Sequence, residues 1–234
     1  MKKGEIKKRE ILQTAETLFC RYGYEKTSIQ DILDILHTSK GSFYHHYASK
    51  ELLLEEICRI RADALAEKAA ALVRKDNSPI ENLNILFSGM MPLSGEKLDF
   101  LLMILPVFDM PEGRLIRLGY AESISDAFRT MTIREIQRGN ENGDIFCPDE
   151  QHAADMAFLI LNELWYQICL LIIRSEKTES RIELSGLLNI IGSFRGSLER
   201  LLSAPFSSFR LLDLEDMKDL TEQIHHHWKQ NNIE

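Results

Sequence analysis

Residues 27–50, TSIQDILDILHTSKGSFYHHYASK, constrain what this chain can fold into more than any other stretch. Ile29, Ile32, Leu33 and Leu36 fall at i, i+3, i+4 and i+7, which puts one apolar stripe on a short helix. Thr27 or Ser28 can cap its start, because a side-chain oxygen there accepts from a free backbone N–H. His37-Thr38 is too polar to continue the stripe, so the chain turns. Ser39 then caps a second helix, Lys40 to about His46, which buries little beyond Phe43 and Tyr47. Lys40, Gly41, Ser42, Tyr44, His45 and His46 are left facing outward. They donate hydrogen bonds or permit close approach, and no acid stands among them. Such a surface suits a polyanion. Ser49, with Glu51 and Leu52 behind it, opens the next helix.

Two crossed helices joined by a short turn, the second presenting donors, make a helix-turn-helix. The run S-K-G-S-F-Y-H-H-Y-x-S-K-E-L-L resembles the DNA-binding domain of the TetR/AcrR family of bacterial transcriptional regulators, over about Lys7 to Ile57. Tyr44, His46, Tyr47, Lys50 and Leu52 stand at that family's spacing. The chain departs from it in the turn, where His37 replaces the usual Gly and Thr38 an aliphatic residue. Histidine accepts positive φ better than bulky or β-branched residues do. Thr27 or Ser28, Tyr44 and Lys50 are placed to hold phosphates, the contacts that set register. Thr38, Ser39, Lys40, Gly41, Ser42, His45 and His46 lie at or in the recognition helix, with Lys40 the candidate for a guanine edge and Gly41 allowing close backbone approach. Tyr47 completes the DNA-binding set.

Net charge is −8, which would suit a DNA binder poorly if it were evenly spread. Residues 1–50 carry nine Lys/Arg against six Asp/Glu, and the remainder nineteen against thirty. A mildly basic module on an acidic body follows, and its weak charge asks for two copies on DNA. Cys20, Cys58, Cys147 and Cys169 form no CxxC pair and read as reduced thiols of a cytoplasmic protein. The N-terminus MKKGEIKKRE holds no apolar run of a signal peptide.

With 12 Gly, 6 Pro and no alternating β-branched run, the chain reads as all-α: an N-terminal three-helix helix-turn-helix domain plus a C-terminal helical ligand-binding and dimerisation domain. Expected boundaries are 1–50 for DNA binding (motif about 28–47), 51–75 for a stiff connecting helix and 76–234 for the effector and dimer body. In the body, helices are expected at about 79–91, 95–107, 112–138, 149–174, 178–203 and 211–228. The apolar run MAFLILNELWYQICLLII is broken by Asn162, Glu163 and Gln167, so it reads as a bundle core rather than a membrane span. Helices 149–174 and 178–203 of each protomer would form a four-helix homodimer interface, as the resemblance implies, and Gly186, Gly192 and Gly196 point to close helix approach.

The resemblance further implies a small-molecule effector pocket within the body. Its candidate walls are Phe87, Met90, Met91, Phe100, Met103, Phe108, Met110, Trp165 and Tyr166, with Asn162, Glu163 and Gln167 as orienting polar groups. No cofactor and no metal site is expected, since His225-His226-His227 point about 100° apart on a helix. No GxSxG, HExxH, P-loop or dinucleotide fingerprint supports an enzyme. The expected role is a repressor that holds double-stranded operator DNA and leaves it on binding an effector. The alternative is a DNA-binding platform whose body recruits a protein partner and no small molecule.

Overall fold

In a computed structural model of the chain, residues 3–91, 96–108, 113–178, 180–212 and 214–231 are described. Every regular element among them is an α-helix. They divide into two compact units, 1–62 with 95–123 and 63–94 with 124–234.

The first unit is built on α1 (Lys3–Tyr22), whose Ile11, Leu12, Ala15, Leu18 and Phe19 form the expected buried stripe. Gly23 ends it at φ +87, a backbone conformation that other residues take up with strain. Around α1 stand α2 (Ile29–Ile35), α3 (Lys40–His46) and the opening turns of α4 (Lys50–Ala70). Ile32, Leu33, Phe43, Leu53, Leu54 and Ile57 close a shared core. The unit also includes α6 (Glu96–Phe108), which packs on α1, and the start of α7 (Gly113–Asn142). Phe100 and Tyr120 meet there with ring centroids 5.6 Å apart.

The second unit contains the end of α4, α5 (Pro79–Gly89), the rest of α7, α8 (Glu150–Lys177), α9 (Leu184–Leu201) and α10 (Leu214–Asn231). α8 packs mainly on α9, and α9 also carries α10, which buries Met217, Leu220 and Ile224. α8 is long and apolar enough to cross a membrane. Here it is a core helix, with Ala154, Phe158, Leu161, Leu164, Ile168 and Ile172 buried. A polar cluster sits inside the same unit. Asn82 is fully buried and donates to the Glu135 carboxylate at 2.9 Å, while Arg138 pairs with Glu135 and donates to the carbonyls of Lys75 and Asn77.

Several helix ends differ from those expected, each for a local reason. α4 stops at Ala70, short of Lys75, because Asn82 takes both backbone groups of Arg74: it accepts from the N–H at 3.2 Å and donates to the carbonyl at 2.8 Å. α6 runs past Pro106 to Phe108. α7 continues through Gly139-Asn140 and ends at Gly143, where φ is +77. Gly139 is there for space: a Cβ would lie 2.7 Å from Ile145 Cδ1. α9 starts at Leu184, since Thr178 caps α8 by donating its hydroxyl to the Arg174 carbonyl at 2.9 Å. Among the described residues Gly186 and Gly192 on α9 make no close approach, as a Cβ at either would meet no atom within 4 Å. Pro92, Gly95, the connector 109–112 and Met110 lie outside the described residues.

Candidate nucleic-acid interface

The interface is assembled from the backbone outward. Ser28, and not Thr27, caps α2: its hydroxyl accepts from the Asp31 N–H, and the Asp31 carboxylate accepts from the Ser28 N–H at 2.7 Å. This reciprocal box satisfies two otherwise orphaned donors. The Ser28 bonds hold the Asp31 carboxyl below its ordinary pKa. Thr27 is turned inward, 2% exposed, and donates its hydroxyl to the Gly23 carbonyl at 2.8 Å.

The turn after α2 is closed by two backbone bonds. His37 donates to the Asp34 carbonyl at 3.3 Å and Thr38 to the Leu33 carbonyl at 3.1 Å, with His37 at φ +46. This is a Schellman ending, in which the residue after the cap takes the left-handed conformation. Histidine thus occupies the position where glycine carries the least strain.

Ser39 caps α3 by accepting from the Ser42 N–H at 3.4 Å. Of the seven residues in α3, Phe43 alone is buried. Ser39, Lys40, Gly41, Tyr44 and His45 are exposed, Tyr44 at 54%, while Thr38, Ser42 and His46 are half-buried. The His45 and His46 rings meet at 4.9 Å between centroids. Partial burial, followed by the charges of His45 and Lys8, lowers the His46 pKa. The start of α1 comes close by: a Cβ on Gly4 would lie 3.9 Å from His46 Cε1. Lys7 and Lys8 there are paired with Glu10 and Glu56, each at 3.1 Å, which offsets part of the basic charge at that end.

Besides Thr27, Tyr47 and Lys50 of the expected DNA-binding set are engaged inside the unit. Tyr47 is buried beneath the Lys8 ammonium, 5.5 Å from its ring centroid, and burial pushes its phenol pKa up to about 12. Lys50 donates to the carbonyls of Tyr24 at 3.0 Å and Thr27 at 3.2 Å. No local signal marks Tyr24 in the sequence, since an aromatic just after a helix-ending glycine is common packing.

The expected effector walls divide between the units. Phe100, Met103 and Phe108 are buried in the first, and Phe87, Met90, Met91 and Trp165 in the second. Asn162 donates to the Ser125 hydroxyl at 3.2 Å, and Tyr166 is half-buried. Glu163 and Gln167 do not face a core; they bond to one another on the surface at 2.7 Å.

The family model described as bacterial regulatory proteins, tetR family, matches residues 11–57, a span that runs from the α1 stripe through α3 into α4. The HTH-type transcriptional repressor KstR2 of Mycobacterium tuberculosis is 30% identical over 151 residues, covering 62% of this chain and 73% of that protein. The chain belongs to the tetR family. It is therefore a DNA-binding transcriptional regulator and not an enzyme. KstR2 of Mycolicibacterium smegmatis is 38% identical over 78 residues, which span 38% of its length. Among solved structures, a tetR-family regulator from Pectobacterium atrosepticum shares the fold with a TM-score of 0.66 at 19% identity, over 88% of this chain and all of the other. A regulator from Saccharomonospora viridis, solved with choline, shares it at 0.53 and 21% identity, over 83% of this chain and 96% of its own.

Proposed function

We propose that this regulator is a homodimeric repressor that binds a two-fold operator through α3 of each protomer and leaves it when a small hydrophobic or amphipathic effector enters the body. The observation that carries the DNA side is the composition of the α3 surface. One aromatic anchors the helix, and every other side chain on it is a donor or absent, with no acid. Ser28 and Tyr44 are the phosphate ligands in this reading. Thr38, Ser39, Lys40, Gly41, Ser42, His45 and His46 face the groove. Residues 1–50 act as the DNA-binding domain, 51–75 as the connection and 76–234 as the effector and dimer body.

The dimer interface is assigned to α8 and α9. Met156 and Leu159 on α8 and Leu188 on α9 are large apolar side chains left exposed, Leu159 at 63%, and Gly186 and Gly192 on α9 are open. Burying such a row against a second copy removes apolar area from water. The effector side is supported by Trp165, a buried side chain whose indole N–H has no partner among the described atoms, in the unit that also buries Phe87, Met90 and Met91. A buried indole donor ordinarily finds an acceptor, and a ligand carbonyl or hydroxyl can supply one. Structural neighbours were solved with choline and with resorcinol, both small molecules.

The decisive experiment selects binding sites from random-sequence DNA with the full-length protein, followed by footprinting. Two protected half-sites related by a two-fold axis are expected. Equal affinity for selected and scrambled duplexes would refute sequence-specific recognition. Screening small apolar compounds for release of the selected duplex then tests the effector.

A further inference from the structure

Lys50 follows the recognition helix closely enough to be read as a phosphate contact, yet its ammonium is already committed. Nζ donates to the carbonyls of Tyr24 and Thr27 at 3.0 and 3.2 Å and sits 4.0 Å from the centroid of the Tyr24 ring. Tyr24 is itself held at both ends. Its ring lies edge-on to Phe19 at 5.1 Å between centroids, and its phenol donates to Glu51 Oε1 at 3.4 Å. Burial, then the Glu51 charge, raises the phenol pKa, so the donor proton stays in place at neutral pH. Lys50 and Glu51 are the first residues of α4. The carbonyls they help to hold precede Ser28, the cap of α2, and α2 leads through the His37 turn into α3.

We propose that Lys50 is a positioning residue for DNA recognition. Its ammonium fastens the 24–27 loop to the start of α4 and so fixes the direction in which α2 and α3 leave that loop. The phosphates are held by other groups. This rests on the reading of α3 as the DNA-contacting helix. Hydrogen bonds from an ionised donor are about twice as strong as neutral ones, and a cation over an aromatic face adds to them. Turning the ammonium toward a phosphate would give these interactions up. An ammonium retains a third donor, so counting charges on DNA separates the two roles.

The test uses the full-length protein and a duplex that the wild type selects from random-sequence DNA. Affinity is measured across a salt series, well below the melting temperature of each variant. Lys50→Met keeps the packing of the stem and removes the donors. It should bind about tenfold more weakly at every salt concentration, with the same slope of log K against log salt as wild type. Lys50→Arg, which can still reach both carbonyls, should restore most of the loss. Lys50→Gln, a donor without charge, should bind better than Lys50→Met and guards against a Met variant that does not fold. Lys40→Ala is the control for a cation on the DNA-facing surface and should lower the slope by about one unit.

A slope reduced by about one unit in Lys50→Met and Lys50→Gln would make Lys50 a phosphate ligand and overturn the proposal. So would a lower melting temperature with unchanged affinity, the signature of a purely structural lysine. If the wild type selects no sequence at all, the reading of α3 fails and this inference fails with it, an outcome distinct from the other two.

Discussion

α3 and α8 use their residues in opposite ways. α3 has seven residues and buries Phe43 alone, so its surface chemistry is nearly its whole sequence. α8 has 28 and buries residues along its full length, from Ala153 to Ser175. A short helix with one anchor announces its function through the polar residues left over. A long apolar helix looks alike whether it crosses a membrane, fills a core, lines a pocket or meets a second copy. The same physical drive to remove apolar area from water underlies all four, and only the neighbours tell them apart.

Four expected outcomes would break or sharpen that contrast. The largest follows from the single anchor. Phe43→Ala should cost about 3–5 kcal/mol of stability and abolish DNA binding, as read by urea denaturation and a duplex-binding titration. If α3 tolerated the change, it would be held by more than Phe43 and the contrast would weaken. On α8, Leu159→Glu alters a side chain that is already exposed. Monomer stability should change little, while the dimer dissociation constant should rise at least about tenfold, roughly 1.4 kcal/mol. Sedimentation equilibrium measures it, and an unchanged dimer would place the interface elsewhere.

A smaller effect, and of opposite sign, is expected at the turn. His37→Gly relieves a left-handed histidine and should raise stability by about 0.5–1 kcal/mol after the entropy of glycine is subtracted. A loss instead would mean that the imidazole itself makes a contact the turn needs.

The smallest effect is a slope with pH. The Asp31 carboxyl is held below its ordinary pKa by Ser28, and that of Glu56 by Arg59 and then Lys8. The unfolded chain therefore takes up protons first as pH falls, so stability is full at neutral pH and declines below about pH 4. Denaturant midpoints between pH 7 and pH 3 should show this decline, and Ser28→Ala should flatten the part that comes from Asp31.

Much of the DNA-binding unit was legible because its signals are local. A cap, an apolar stripe at i, i+3, i+4 and i+7 and a second cap are all written within a few residues of the bonds they make. Ser28, Ser39 and His37 stand at their caps and turn as read. The errors of reading came from bonds that span the chain. Asn82 shortens α4 from eight residues beyond Arg74, and Ile145 explains why Gly139 continues a helix it was expected to end. No local signal assigns Phe100 and Met103 to the unit built on α1 and Phe87 and Trp165 to the other.

The stretch 27–50 by itself determined the helix-turn-helix and the acid-free, donor-rich surface of α3. Each rests on hydrogen bonds and periodicity closed within a turn or two of helix. Tertiary structure alone decided that Thr27 lies inside and that Lys50 spends its charge on the Tyr24 and Thr27 carbonyls. A side chain reads as exposed or buried only once the elements distant in sequence have been packed around it, and for Lys50 that packing brings its partners from 23 and 26 residues away.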